Sequence, residues 1–349
     1  MDISVGSKYK DRVYKFYDVV KGAKNCLVVT HNNPDPDAIS SALGISYLFE
    51  KKFGGKAVIG YKGIIGRAEN KAMVEELNIK LEPFYRINPE EFDCIALVDT
   101  QYRAHNHPLH IIPDVVIDHH SIISEENEVP LADFRPEYGA CATIVTEYLM
   151  IYGVEIPSDI ATSLFYGIKT DTRDLSRKST DSDIEAYKFL FPLLDREKLA
   201  RIEYPKLPLE YFRSLHNALG EAWLYNDIAI SSIGTLYRPD LVAEVAEYLL
   251  RIEGIRWSIA IGFYRGNLYI SMRTDAPEEA DASEVIREVI DSRGSAGGHN
   301  VMAGGYIPEV PHEERENLVK EIIYRAVKKL SRSPEEITPV PLIPSKNSQ

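Results

Sequence analysis

Residues 27–44, LVVTHNNPDPDAISSALG, decide the fold, because an apolar strand runs directly into a histidine and two aspartates and then into a helix. The run at 26–30 is short, apolar and without alternation, which is typical of a strand buried on both faces of a parallel sheet. His31 follows at its carboxyl end, the edge at which open α/β sheets bind ligands, and Asp35 and Asp37 precede the next helix. An imidazole with two carboxylates suits Mn²⁺ or Mg²⁺. The simpler alternative is an N-capping aspartate beside a surface histidine.

Other predicted strands also end in ionisable side chains. These are Asp99 after the strand 94–98, and Asp118, His119 and His120 after the strand 115–117. A helix over 160–168 delivers Asp171 as a further carboxylate. Because the carboxyl ends of parallel strands meet at one sheet edge, these groups would gather several uncompensated charges there. Their recurrence favours a metal site over isolated turn residues.

Length and composition restrict the class of protein. A chain of 349 residues is long for one core, so two domains are expected, and its hydrophobic fraction of 44% and charged fraction of 27% are typical of soluble globular proteins. The sequence contains no apolar run near the roughly 20 residues of a membrane helix, and its N-terminus lacks the apolar core of a signal peptide. Cys26, Cys94 and Cys141 lie in apolar segments without paired spacing, so we expect buried thiols in a reducing cytoplasm.

The net charge restricts the substrate. A formal charge of -13 opposes binding of long nucleic acid through many phosphate contacts, although clustered acidic metal ligands contribute to that count. The chain is therefore expected to act on a small phosphorylated molecule.

The order of elements predicts an α/β protein with two domains. A parallel-sheet domain is expected to be joined by a helical connection to a smaller α/β domain that begins with a strand near residue 227 and includes a hairpin turning at Arg265 and Gly266. The predicted divisions are 1–194 for the first domain, 195–216 for the connection, 217–331 for the second domain, and 332–349 for a mobile tail.

Five motifs in this order resemble those of the DHH phosphoesterases: HNNPDPDA at 31, LVDT at 97, IDHH at 117, GIKTDT at 167 and GGH at 297. The resemblance covers most of the chain and is closer to the DHHA1-containing branch, which includes nanoRNase/pAp phosphatases, RecJ nucleases and cyclic-dinucleotide phosphodiesterases. It implies a catalytic DHH domain, a substrate-binding DHHA1 domain and an active site in the cleft between them.

The resemblance also implies two divalent metal ions, with Mn²⁺ favoured and Mg²⁺ or Co²⁺ as alternatives. The first ion would be bound by His31, Asp35 and Asp99, and the second by Asp37, Asp99, His119 and Asp171. Asp99 would bridge the two ions. Asp118 would orient an imidazole, and His120 would face the reacting phosphate as a donor or general acid. Substrate phosphate would be bound by Arg273 and His299, and physical reasoning adds the backbone of Gly297 and Gly298 as further contacts.

Physical reasoning supports these substrate contacts but leaves alternatives. Arg273 ends an apolar strand, where a guanidinium without a partner is costly, so an anion is one candidate partner and Asp275 or Glu284 is another. The two glycines of 297–299 carry no Cβ and let the backbone approach a phosphate. The alternative for that stretch is an ordinary flexible loop.

The chain departs from the family pattern at two positions and has one unexplained cluster. Pro36 stands where many relatives have glycine, and Ala296 precedes the glycine pair where relatives have a third glycine. Arg173, Arg177 and Lys178 form a basic cluster after the fourth motif. It is either functional or a solvated surface turn.

The sequence thus predicts a cytoplasmic, manganese-dependent phosphoesterase that uses a hydroxide activated by two metals to cut pAp, linear dinucleotides or very short oligonucleotides to mononucleotides. It is compatible with a homodimer. A RecJ-like exonuclease would require a basic channel that the sequence does not show. Exopolyphosphatase or pyrophosphatase activity is another alternative, although GGH argues against the pyrophosphatase branch. A silent nucleotide-sensing module is the non-enzymatic alternative, against which the complete ligand set argues.

Overall fold

The computed structural model describes residues 9–331 and 337–344, apart from the side chain of His299. The chain divides into two compact units, Met1–Lys206 and Leu207–Gln349. This division falls inside the predicted connection 195–216, which is mostly helical. The connection is therefore shared between the two units.

The first unit is built on a six-stranded parallel sheet, which confirms the predicted α/β class. Its strands are β1 Asn25–Val29, β2 Lys56–Tyr61, β3 Leu81–Pro83, β4 Cys94–Val98, β5 Val115–Asp118 and β6 Leu131–Phe134. Its helices are α1 Lys10–Val20, α2 Pro36–Leu48, α3 Ala68–Glu76, α4 Cys141–Ile151, α5 Ser158–Asp171, α6 Asp181–Leu190 and α7 Arg196–Glu203. The sequence did not predict β3 and β6, because these short edge strands are not continuous apolar runs.

In the strand order β3-β2-β1-β4-β5-β6, the chain adds strands on one side of β1 first and then on the other, so the order reverses between β1 and β4. In open parallel sheets the crevice at this reversal, outside the carboxyl ends of the strands, is where ligands bind. His31 follows β1 and Asp99 follows β4, so the two residues lie on opposite sides of the reversal. The topology thereby brings two distant motifs to one position.

Apolar side chains cover both faces of this sheet. In β1, Cys26 and Val28 belong to the core on one face, and Leu27 and Val29 belong to the core on the other. All four are at most 1% exposed, which explains why the strand reads as an uninterrupted apolar run. The three cysteines are free and buried, as predicted.

The second unit contains a seven-stranded mixed sheet in the order β11-β12-β10-β9-β8-β7-β13. Its strands are β7 Ala222–Tyr225, β8 Ile228–Thr235, β9 Trp257–Tyr264, β10 Asn267–Thr274, β11 Ser295–His299, β12 Met302–Ile307 and β13 Val340–Pro341. Its helices are α8 Leu209–Gly220, α9 Leu241–Leu249, α10 Ala282–Ile290 and α11 Arg315–Leu330. Strands β8 and β9 are parallel, and the other pairs are antiparallel.

The predicted hairpin is confirmed, because Arg265 and Gly266 turn β9 into β10 with φ values of 48° and 85°. The glycine-rich stretch forms the β11–β12 hairpin instead of a loop. Part of the tail is also paired, since Val340 and Pro341 align with β7, so the prediction of a mobile tail over 332–349 does not account for this strand. Residues 332–336 and 345–349 lie outside the described residues.

Among the helices of the described ranges, none combines the length and apolar character needed to cross a bilayer.

Candidate active site

The turn between β1 and α2 places His31 and Asp35. Nδ1 of His31 lies 2.9 Å from the carbonyl oxygen of Asn32, which leaves Nε2 as the nitrogen free to bind a metal. This Nε2 lies 3.8 Å from Oδ1 of Asp35 and 3.5 Å from Oδ2 of Asp99. Asp35 also caps α2, because its Oδ1 accepts the Ala38 N–H at 3.0 Å. A carboxylate has enough lone pairs to serve as both cap and metal ligand.

Asp37 is held by the first turn of α4. Its Oδ2 accepts the N–H of Cys141 and its Oδ1 accepts the N–H of Ala142, each at 2.7 Å. Ala140, at the N-cap of this helix, supplies no side-chain cap, so Asp37 provides the negative charge that a helix N-terminus favours. Oδ2 of Asp37 also lies 3.7 Å from Nε2 of His119. The carboxylate is therefore fixed in the centre by contacts from a distant helix.

Asp99 lies between the two imidazoles. It adopts φ 57°, a left-handed conformation that is uncommon outside glycine but favoured by aspartate relative to most residues. Its Oδ2 is 3.5 Å from Nε2 of His31, and its Oδ1 is 3.4 Å from Nε2 of His119. Oδ1 is buried and accepts no hydrogen bond from the described residues. Because such an oxygen is costly without a partner, its position between imidazole nitrogens fits a divalent cation.

His119 joins the remaining carboxylate. Its Nδ1 lies 3.2 Å from the carbonyl oxygen of Tyr138, which leaves Nε2 at 3.2 Å from Oδ2 of Asp171, the last residue of α5. In each of three sets of residues the donor atoms lie within 4.8 Å of one another: His31, Asp35 and Asp99; Asp37, His119 and Asp171; and Asp99, His119 and His120. The structure thus brings together all six residues predicted to bind metal, and the donor set fits two hard divalent cations.

Four carboxylates around two imidazoles dominate the electrostatics of this centre. Burial, together with the charge of Asp99, raises the pKa of Asp37 well above its ordinary value. Burial also raises the pKa of Asp171 to about 6. Burial alone would lower the pKa of His119, but its contact with Asp99 and the other carboxylates raises it to about 10. These shifts reflect the crowding of carboxylates in one place, and a bound cation would favour their ionised forms.

His120 is arranged differently from the other two histidines. Its Nδ1 lies 2.7 Å from Oδ1 of Asp118, and its side chain is 58% exposed. Asp118 is fully buried and accepts a second hydrogen bond at 2.8 Å from Nε2 of Gln101. The same glutamine accepts the N–H of Ile123 and donates to the carbonyl of Ser121, so it also fixes the chain beyond His120. Asp118 therefore orients the imidazole through Nδ1, and this contact leaves Nε2 of His120 as the other ring nitrogen.

A buried ionic network contacts the side chain of Tyr138, whose carbonyl lies next to His119. Arg135 is fully buried, and its guanidinium donates to Asp133 and Glu147. The hydroxyl of Tyr138 donates to Glu147 at 3.0 Å. The network thereby holds the residue whose carbonyl orients His119.

Gln101 and Tyr138 are functional neighbours that the sequence did not predict. Gln101 stands two residues after Asp99, and a polar residue so close to a strand end was the available signal. Tyr138 acts through its main-chain carbonyl, which every residue carries, so the residue type at this position gave no signal.

In the second unit, Arg273 has protein partners. Its Nη1 donates to Ser271 Oγ at 2.7 Å and to the carbonyl of Met272 at 2.9 Å, and its Nη2 lies 3.4 Å from Oε1 of Glu247. The acid beside it is therefore on α9, and it is neither of the two neighbours suggested by the sequence. An anion is not required to explain a guanidinium at this position.

The two glycines of the predicted phosphate site differ. A Cβ on Gly298 would lie 2.3 Å from the carbonyl oxygen of Met302, so glycine is needed there for hairpin packing. A Cβ on Gly297 would meet no atom within 4 Å, so that strand position borders open space. His299 ends β11, and its side chain is outside the described part of the structure.

The fold and the site together define a class of α/β proteins in which metal ligands lie at the carboxyl edge of a parallel sheet. The profile of the DHH family, N-terminal domain, matches residues 25–168, and that of the DHHA1 domain matches residues 226–329. Together the two matches cover more than half of the chain. The chain therefore belongs to the DHH family and carries a DHHA1 domain.

Two curated proteins illustrate this relationship. An uncharacterized protein of Methanocaldococcus jannaschii is 34% identical over 284 residues, which are 81% of this chain and 58% of that protein. A probable manganese-dependent inorganic pyrophosphatase of Lactiplantibacillus plantarum is 30% identical over 51% of this chain and 56% of its own length. The chain thus spans somewhat more than half the length of these curated relatives.

Among solved structures, an exopolyphosphatase-related protein from Bacteroides fragilis superposes with a TM-score of 0.71 at 19% identity, covering 92% of this chain and 98% of that chain. At this identity the likeness is one of fold.

Proposed function

We propose that this protein is a manganese-dependent phosphoesterase that hydrolyses small phosphorylated nucleotides, such as pAp, linear dinucleotides and very short oligonucleotides, to mononucleotides. The observation that carries the proposal is the position of Asp99, whose Oδ2 lies 3.5 Å from Nε2 of His31 and whose buried Oδ1 lies 3.4 Å from Nε2 of His119 and accepts no hydrogen bond from the described residues. The name of the manganese-dependent pyrophosphatase relative supports the choice of metal.

The residues of the centre have separate roles in this proposal. His31, Asp35 and Asp99 would hold one cation, and Asp37, Asp99, His119 and Asp171 the other. When bound, two divalent cations activate water and neutralise charge that develops on a phosphoryl group.

His120 would act on the substrate. Burial alone would lower the pKa of His120, but its hydrogen bond to Asp118 raises it and favours the imidazolium. The imidazolium keeps Nδ1–H on Asp118 and can donate from Nε2 a hydrogen bond to a phosphate oxygen or a proton to the leaving group. The hydrogen bonds of Gln101 keep Asp118 in place, so the ring meets the substrate already oriented.

The charge of the chain supports a small substrate. With 53 acidic residues against 40 lysines and arginines, the protein repels a long polyanion. A substrate with only one or a few phosphates carries a much smaller electrostatic penalty. Activity is therefore expected to fall as an oligonucleotide grows beyond a few residues.

Turnover with Mn²⁺ should be compared across pAp, linear dinucleotides, oligonucleotides of increasing length, pyrophosphate and polyphosphate. Asp99→Asn, purified in parallel, is the control for contaminating activity. We expect pAp and the linear dinucleotides to be the best substrates. Degradation of a strand of about 20 nucleotides as efficiently as a dinucleotide would favour a RecJ-like exonuclease, and faster hydrolysis of pyrophosphate or polyphosphate would reject a nucleotide substrate.

A further inference from the structure

The turn after α5 carries Arg173, Arg177 and Lys178, and we call residues 173–178 the basic turn. We propose that the basic turn binds a second phosphate of the substrate, distinct from the phosphate that is hydrolysed. This inference rests on the proposed function and assigns part of its substrate specificity.

The three cations of the basic turn are available to an external anion. None of them forms an ion pair with a residue in the described ranges, whereas Lys169, shortly before them, lies 2.8 Å from Glu203. Arg173 and Lys178 are exposed, and Arg177 is half-buried. In a chain with 53 acidic residues against 40 lysines and arginines, three neighbouring cations without an acidic partner are unexpected for a solvated surface turn.

The backbone of the basic turn is unusual. Arg173, Asp174, Leu175 and Lys178 have φ values of 48°, 57°, 65° and 40°, a region that non-glycine residues seldom adopt. Backbone strain of this kind persists only where the surrounding structure fixes it, and it concentrates at functional sites. A flexible surface turn would not keep such a strained backbone, so the strain favours a functional role for the basic turn.

The basic turn contacts the chain segments that carry the metal ligands. Its first residue lies two positions after Asp171, and the N–H of Arg177 donates to the carbonyl of Thr172 at 2.8 Å. A Cβ on Gly139 would lie 2.7 Å from the carbonyl oxygen of Lys178, so the turn packs against the chain between Tyr138 and α4.

A buried aspartate completes this attachment. Asp183 accepts the N–H of Gly139 at 2.9 Å, the hydroxyl of Thr143 at 2.6 Å and the N–H of Thr180 at 2.7 Å. It thus ties the end of the basic turn to α4, whose first N–H groups hold Asp37. The cations are carried by a segment whose position is set by the same elements that set the metal ligands.

Phosphate is the anion that this set of donors suits. A guanidinium binds phosphate oxygens in pairs, and an ammonium adds a point charge. Substrates such as pAp or a 5′-phosphorylated dinucleotide carry a second phosphate near the one that is cleaved. An alternative role is that the cations complement the C-terminal dipole of α5, which would affect stability without distinguishing substrates.

The test compares ApA with 5′-phosphorylated pApA, two dinucleotides that differ by one phosphate. Arg173→Ala, Arg177→Ala and the variant combining both with Lys178→Ala are measured beside Lys188→Ala, which removes an exposed cation from α6. Each lost charged contact is expected to raise the KM for pApA about tenfold, while the KM for ApA and the values of Lys188→Ala stay at wild type. Calorimetric titration of the metal-free protein with each dinucleotide gives the same comparison without turnover.

Equal effects on the two dinucleotides, or a lowered Tm with wild-type KM values, would overturn the inference and assign the cations to stability. A wild type that binds pApA no better than ApA would also overturn it. Absence of turnover of both dinucleotides by the wild type would instead refute the proposed function, and the calorimetric comparison would then decide the inference alone.

Discussion

The main-chain carbonyl of Tyr138 lies 3.2 Å from Nδ1 of His119, and this contact fixes which nitrogen of the histidine faces the metal centre. Nε2 consequently lies 3.2 to 3.7 Å from carboxylate oxygens of three aspartates. Hydrogen bonds of this type orient metal-binding imidazoles and raise their basicity. The position of the carbonyl in turn depends on the buried contacts of the Tyr138 side chain.

Glu147→Gln tests this dependence. Glu147 accepts hydrogen bonds from Arg135 and Tyr138, so its replacement should lower the Tm and weaken Mn²⁺ binding by about tenfold or more, as typical for partners of metal ligands. Asp133→Asn is the matched control, because Asp133 pairs with Arg135 but does not contact the Tyr138 hydroxyl. Equal loss of Mn²⁺ affinity at equal loss of Tm in both variants would show that the network serves stability only.

Asp99→Ala should remove both metal ions together, because Asp99 lies within 3.5 Å of both His31 and His119. Asp99→Asn tolerates the left-handed backbone and separates loss of charge from backbone strain. Metal content measured by mass spectrometry is the readout. Asp93→Ala, which removes a surface carboxylate that accepts main-chain N–H groups at β1, should retain both ions. Two ions still bound to Asp99→Ala would disprove the bridging role.

His120→Ala should keep the metal content and lower kcat by about 10² to 10³, the typical effect of losing one hydrogen bond to a transition state. The expectation follows from its exposed ring and its bond to Asp118. Parallel measurement of metal content and kcat is required, because His120 also lies in one of the three potential ligand sets. Loss of a metal ion from this variant would make His120 a ligand instead.

Gln101→Ala should lower kcat by about three- to tenfold, a modest effect because Asp118 loses one of its two partners and the glutamine acts only through the position of His120. Its metal content should not change. Combining Gln101→Ala with His120→Ala provides the control, since the glutamine should have little further effect once the ring is absent. Additive losses in kcat would mean that Gln101 does not act through His120.

Arg273→Ala should raise KM while metal content stays intact, if the arginine contacts substrate phosphate as the family resemblance implies. Glu247→Gln is the matched variant, because it removes the nearby acid but keeps the guanidinium. KM should rise only in the arginine variant. A wild-type KM with a lowered Tm in Arg273→Ala would show that its bonds to Ser271 and Met272 are structural.

Much of the fold was determined by local sequence. The buried strands at 26–30, 94–98 and 115–117 were predicted within one residue at each end, because a strand buried on both faces is a continuous apolar run. The short edge strands β3 and β6 were not predicted, and the β11–β12 hairpin was hidden in a glycine-rich stretch. Such strands depend on pairing with neighbours that are distant in sequence.

The sequence alone also identified the ionisable residues of the centre, because each motif places its acid or imidazole at the end of an element. Tertiary structure decided what holds them. Asp37 takes its position from the N-terminus of α4, and His119 takes its tautomer from the carbonyl of Tyr138. Main-chain N–H and C=O groups are common to nearly all residues, so contacts through them leave no trace in the sequence. Tertiary packing also decided the acid beside Arg273, because α9 packs against β10 and brings Glu247, 26 positions earlier in the chain, next to the guanidinium.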